Sequence, residues 1–337
     1  MKLSIRNNNA IESNQFQSFD AMGHAWLPKE LWAQIASHIS VKDALTLRKT
    51  CKFLRAAALD GITVLDSHYR LLTLANNVSM LRFNGFTTRI ANTLLRKNLD
   101  RKLQNVTHMS FTCYPPRSFL GKKSIAFLSK LRFLERLSIA VNIPKNTPIT
   151  FVEGTRFEHI TELECCSRVF PSLTSLIPNL HTLTLQVWDS EPIDLTRHKT
   201  LTSLHVQVGI CNQIESYDCF LLPTLEHLSI TAQSFPINKE KLVTLSKLKT
   251  LRLRTQSISD EMDFQELTPL LSSLHVLPNL RAITVPVKGI PEDDLCQALV
   301  SFGSKPMQIK LTGAEATERL LSCLAAASKS IKISLDL

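Results

Sequence analysis

The chain has 337 residues, 44% of them hydrophobic, with 39 Lys and Arg against 29 Asp and Glu for a net charge of +10. That length exceeds one ordinary compact core, so two domains or one elongated repeat array is expected. The first residues, MKLSIRNNNAIESNQFQSFD, lack the continuous apolar stretch of a secretory signal, and no run approaches the roughly 18 apolar residues of a membrane helix. A soluble protein of a reducing compartment, with no membrane span, is therefore expected.

Residues 1–25 read as a flexible polar tail. The stretch 26–60 then changes character. Pro28 sits where a helix tolerates it, in the first turn, and Leu31, Ile35 and Ile39 recur at i, i+4 and i+8 on one face. Ser40 followed by Asp43 is a capping-box-like start to a second helix, whose apolar positions are Ala44, Leu45, Leu47, Cys51 and Leu54. So few residues cannot enclose a core, so their apolar faces need a partner. The stretch resembles an F-box. The residues that carry the resemblance are Leu27, Pro28, Glu30, Leu31, Ile35, Ile39, Asp43, Leu45, Leu47, Cys51, Lys52 and Arg55. Ala44 stands where leucine is usual, Thr50 replaces valine and Leu54 replaces the aromatic. The resemblance implies that these twelve residues dock the Skp adaptor, and through it a cullin scaffold. It also implies an acidic adaptor surface, which Lys42, Arg48, Lys49, Lys52 and Arg55 would suit.

Residues 61–102, with the apolar patterns LLTLANNV and IANTLLRKNL, are expected to form a helical linker that caps the remainder of the chain. From 103 to 337 one phrase recurs, L-x-x-L-x-x-L-x-L in general form, as LRFLERLSI, FEHITELEC, IPNLHTLTL, HKTLTSLHV, LPTLEHLSI, LSKLKTLRL and LPNLRAITV, with looser copies at either end. The third apolar position falls at Met109, Leu137, Leu163, Leu183, Leu204, Leu228, Leu251, Ile283, Ile309 and Ile333, at intervals of 20 to 32 residues. About ten divergent units of this period resemble leucine-rich repeats. The fold class implied is α/β: a short helical F-box, then a leucine-rich-repeat solenoid, a horseshoe with a parallel sheet on its concave face. The Asn of the family's turn is matched by Asn142 alone, with Trp188, Gly209, Gln233, Gln256 and Lys288 elsewhere. GKKSIAFLSKL and EDDLCQALVSF are expected to be convex helices.

Strand parity selects the side chains beside the inward leucines. Glu162, Glu164, His205, Gln207, His227, Arg252 and Arg254 are thereby candidates for binding a target protein, an acidic rung and a basic rung on a Ser/Thr floor. With the F-box, this implies the substrate-recognition subunit of a Skp–cullin–F-box ubiquitin ligase, a non-catalytic adaptor. Its place of action is the cytoplasm, or the host cytoplasm if the divergent motif marks a bacterial effector.

Two alternatives compete. From 41 to 145 there are 19 Lys and Arg against five Asp and Glu, so a basic scaffold binding nucleic acid or anionic lipid is one. Its basic residues are scattered among apolar helical positions, without the Gly-aromatic signature of an RNA module, so no nucleic acid is expected. An enzyme is the other. The eight cysteines form no CxxC pair and the histidines no HExxH, and no glycine-rich phosphate loop occurs, so neither cofactor nor metal is expected.

Overall fold

The computed structural model describes residues 29–47, 49, 57–60, 62–66, 77–97, 103–113, 122–141, 156–188, 193–209, 216–233, 235, 237–255, 267–287, 290–302, 306–313, 317–327 and 331–336. Two compact units divide the chain, residues 1–64 with 74–77 and residues 65–73 with 78–337.

In the first unit, helix α1 (Lys29–His38) and helix α2 (Val41–Leu47) follow the 3.6-residue apolar spacing. Glu30 lies in the first turn of α1, the end of the helix dipole that favours an acidic side chain, and His38 lies in its last turn. Ser40 starts α2: its hydroxyl accepts the Asp43 backbone N–H at 3.2 Å and donates to Asp43 Oδ2 at 2.6 Å. Ala36, Ala44, Ala57 and Ala58 are buried. Ala44 is thus an interior residue, and its smallness does not trim the outward apolar face.

The second unit is a single sheet of twelve strands taken in chain order: β1 (Val64–Asp66), β2 (Met80–Asn84), β3 (His108–Cys113), β4 (Arg136–Val141), β5 (Glu162–Cys166), β6 (Thr182–Val187), β7 (Ser203–Val208), β8 (His227–Ala232), β9 (Thr250–Thr255), β10 (Ala282–Pro286), β11 (Met307–Thr312) and β12 (Ile331–Asp336). Every pair from β2 to β12 is parallel. One row of the register runs Leu81, Met109, Leu137, Leu163, Leu183, Leu204, Leu228, Leu251, Ile283, Ile309, Ile333. The ten positions aligned in the sequence are therefore one physical ladder, extended by Leu81. All but Ile333 are buried. Each such side chain contributes about 1.5–3 kcal/mol against a neighbouring repeat, so no unit stands alone.

The leucine spacing alone starts the repeats at residue 103 and puts a helical linker before them. Instead, β1 and β2 lie within 61–102 and join the sheet, alongside helix α3 (Thr88–Arg96), which covers most of IANTLLRKNL. The departure has a plain cause: MLRFN alternates as a strand does, but carries only Leu81 and Phe83 inward, too few to register as a repeat phrase. LLTLANNV falls at 71–78, of which 71–76 lie outside the described residues.

Between strands the chain returns through helices where length permits. GKKSIAFLSKL contains α4 (Lys122–Leu128). Further on come α5 (Phe170–Leu173), α6 (Lys239–Leu242), α7 (Leu267–Leu274), α8 (Glu292–Ser301, within EDDLCQALVSF) and α9 (Glu318–Ala327). Leu295, Ala298 and Leu299 of α8 and Leu320 of α9 are buried.

The turns entering the strands repeat one hydrogen-bond scheme. A single carbonyl accepts two successive N–H groups of the next repeat: Thr161 O takes His181 and Thr182, His181 O takes Thr202 and Ser203, and Thr202 O takes Glu226 and His227. In four phrases the residue before the second apolar position adds a side-chain bond to the preceding repeat. Asn179 donates to Glu158 O, Thr200 to Leu180 O, Thr224 to Leu201 O and Asn279 to Ser246 O, at 2.7–2.8 Å. These bonds precede the strand; Asn142, the asparagine matched in the turn after a strand, lies outside the described residues.

Candidate functional site

Two surfaces, one in each unit, carry exposed side chains of the kind that bind partners. In the first unit, Leu31, Ile35 and Ile39 are 43%, 40% and 36% exposed. Because Cβ atoms four residues apart share a helix face, they form one apolar stripe along α1 and just past its end. Isolated exposed aliphatics are ordinary, but three in helical register are a face without a partner. Glu30, Lys42, Asp43 and Lys49 are also exposed, and Leu47 is half-buried. Leu27, Pro28, Cys51, Lys52 and Arg55 lie outside the described residues, as does the side chain of Leu45.

In the second unit, the sheet face opposite the buried ladder presents three rows. Across β5 to β9 they read Glu162, Thr182, Ser203, His227, Thr250; Glu164, Thr184, His205, Ser229, Arg252; and Cys166, Gln186, Gln207, Thr231, Arg254. All seven side chains singled out in the sequence, Glu162, Glu164, His205, Gln207, His227, Arg252 and Arg254, stand on this face. Cys166 departs from the parity, since it is buried despite its outward phase.

Charge is distributed unevenly. Glu162 pairs with Arg136 of β4, and Glu164 Oε2 accepts the Ser138 hydroxyl at 2.9 Å, so the acidic rung is already engaged from its own sheet. Arg252 and Arg254 are exposed, and neither has a carboxylate partner among the described residues. Between the rungs, Gln207 Nε2 lies 3.2 Å from His205 Nε2, and His227 Nδ1 lies 2.7 Å from Thr250 Oγ1. Burial pushes His205 below the usual imidazole range; Arg254 and Arg252 push the same way and Glu164 opposes them. His205 is thus a neutral imidazole at neutral pH, an acceptor and donor on a polar floor.

Trp188 follows β6, and in the sequence it stands out only as a missing asparagine. Continuing the outward phase of Thr182, Thr184 and Gln186, it is 51% exposed, with its backbone N–H held by Ser167 Oγ at 3.3 Å. A sequence signal for it exists: a tryptophan at a polar turn position has no core to enter.

Among the described residues no group of three His, Cys, Asp or Glu side chains is placed to hold a metal ion. Burial raises the thiols of Cys165 and Cys166 above the ordinary range, away from the thiolate a nucleophile needs. No described helix is long and apolar enough to cross a membrane.

The F-box domain family matches residues 25–61. No curated protein matches the chain in sequence. Among solved structures, it is similar to the chain in the crystal structure of a TLR13–ssRNA13 complex, at 17% identity and a TM-score of 0.42, over 83% of this chain and 42% of that one. This chain thus spans about two fifths of the length of that protein. The chain thus carries a segment that matches the F-box domain family, followed by a parallel sheet built from repeated strands in chain order.

Proposed function

We propose that the chain is the substrate-recognition subunit of a Skp–cullin–F-box ubiquitin ligase, docking the Skp adaptor through the F-box and recruiting a target protein through its repeats. F-box proteins are generally non-catalytic adaptors. The observation that carries the reading is the stripe of Leu31, Ile35 and Ile39, exposed within the matched segment. An amphipathic helix of this kind binds by laying its apolar face into a groove. Glu30, Asp43, Leu45, Leu47, Leu27, Pro28, Cys51, Lys52 and Arg55 complete the proposed adaptor-binding set, with Lys52 and Arg55 suiting an acidic partner surface.

The chain performs no covalent chemistry in this reading. It raises the effective concentration of a target lysine near a ubiquitin-charged enzyme by holding both on one frame. The boundaries proposed are a tail to residue 25, the F-box at 26–60 and the repeats beyond, with β1 and β2 now counted among them. The site of action is the cytoplasm, and the host cytoplasm for a bacterial effector, which the departures at Thr50 and Leu54 and the divergent turns support.

The test is co-elution. Purified chain and purified Skp adaptor mixed on a sizing column are expected to run as one complex in moderate and in high salt. Separate elution in both would overturn the reading.

A further inference from the structure

The open sheet face is asymmetric. Its acidic rung is occupied by Arg136 and Ser138, whereas the guanidinium groups of Arg252 and Arg254 face outward with no carboxylate partner among the described residues. Two residues apart on one strand, they project side by side, about 7 Å from one Cα to the other. Their field extends over the floor as far as His205, two strands away, where it disfavours the protonated ring. Three strand steps from β9, about 14 Å at the usual spacing, stands Trp188. The register that pairs Val187 with Val208 brings Trp188 beside Gly209, which has no side chain to cover the indole.

A guanidinium pair and an exposed tryptophan at the edge of a polar floor are the residue types that dominate protein interfaces. Nucleic acid is a poorer fit. Among the described outward side chains from β5 to β9 there are Ser, Thr, Gln, His, Glu and Arg but no aromatic rows for base stacking, and a phosphate backbone crossing the face would meet Glu162 and Glu164.

We propose that the surface bounded by Trp188, His205, Gln207, His227, Arg252 and Arg254 binds an acidic segment of a protein, with Asp or Glu carboxylates on the two arginines and a large apolar side chain against Trp188. This deepens the recruitment reading above and rests on it. Trp188 also lies two residues beyond the row of Arg254, about 7 Å along the strands, so in an extended segment the apolar residue stands about five positions from the nearer carboxylate, at roughly 3.4 Å per residue. Paired N–H donors of each guanidinium take a carboxylate in fork geometry, which sets orientation as well as affinity.

The experiment is a display selection of random, unphosphorylated peptides on the immobilised full chain, followed by titration of a synthetic peptide of the enriched sequence. Enrichment of Asp and Glu with Leu, Phe or Trp about five residues away is expected. The double variant Arg252→Glu/Arg254→Glu is expected to weaken that peptide by roughly tenfold or more, Trp188→Ala by a comparable factor, and Arg252→Lys/Arg254→Lys by less. Circular dichroism and adaptor binding on the same preparations show that the variants remain folded, and adaptor binding reports separately on the F-box. Basic or purely apolar enriched peptides, or peptides insensitive to both variants, overturn the acidic address while leaving recruitment by the repeats standing. A folded chain that enriches nothing contradicts both. Arginine-dependent, strongly salt-dependent binding of a labelled single-stranded RNA, in the absence of peptide binding, would assign the face to nucleic acid instead.

Discussion

His198 Nε2 lies 2.5 Å from Thr174 Oγ1 in the preceding repeat, and the imidazole occupies the place that apolar residues hold in neighbouring phrases. Only 2% of the residue is exposed, its ring packs 5.5 Å from that of Phe170, and Nδ1 has no hydrogen-bond partner. A titratable ring thus stands in line with Phe157, Ile177 and Leu222 of the adjacent phrases.

Acid stability depends on that position. Burial lowers the proton affinity of His198, with Asp194 opposing it more weakly. As pH falls below the unfolded value of about 6.5, the unfolded chain takes up a proton that the folded chain resists, so stability declines until the depressed folded value is reached. Above about 6.5 the cost is absent. His198→Leu is expected to flatten the fall of the thermal midpoint that begins below about pH 6.5, leaving the acid loss from Asp194, whose carboxyl is held low by the Thr196 hydroxyl and N–H. An unchanged slope would assign the decline to other groups.

The turn ladder gives a second expectation. Asn279 reaches Ser246 O and Asn179 reaches Glu158 O, each bridging one repeat to the one before. Replacing either by alanine is expected to cost about 1 kcal/mol in urea unfolding, the usual net worth of one hydrogen bond, and the two are expected to add because they lie in separate repeats. A cost near zero would mean that water replaces the amide without loss.

Helix α2 offers a third. Ser40 both caps the helix and binds Asp43 Oδ2. Ser40→Ala is expected to destabilise the first unit by about 1 kcal/mol, and Ser40→Asp to restore most of it. Equal loss in both would place the effect outside the cap.

Most of the sheet is legible in the sequence because leucine spacing and strand parity are both short-range signals, and parallel stacking converts them directly into register. Met109 to Ile333 fall into one row on spacing alone. The open face is legible for the same reason, since alternate residues must point away from the ladder. The positions that escape are those where one residue does a job the phrase assigns to another. His198 stands where the phrase elsewhere has an apolar residue, Asn179 and Asn279 place a side-chain bond ahead of the strand, and Cys166 is buried although it lies on the outward phase. Leu81 and Phe83 escape because a two-residue inward set is too brief to count as a phrase. Ala44, which stands where leucine is usual, is interior, because helical spacing fixes which residues share a face but not which of two faces is covered.

The stripe on α1 is the test of the central claim. Leu31 and Ile35 are each about two fifths exposed, so the double variant Leu31→Ala/Ile35→Ala is expected to leave thermal stability nearly unchanged, whereas apolar anchors at an interface typically cost about 2 kcal/mol or more when truncated. The measurement is the calorimetric Kd of the full chain for the purified Skp adaptor, wild type against this double variant. The account requires measurable wild-type affinity that holds in high salt and falls by roughly thirtyfold or more in the variant. Equal affinities for wild type and a folded variant would contradict it.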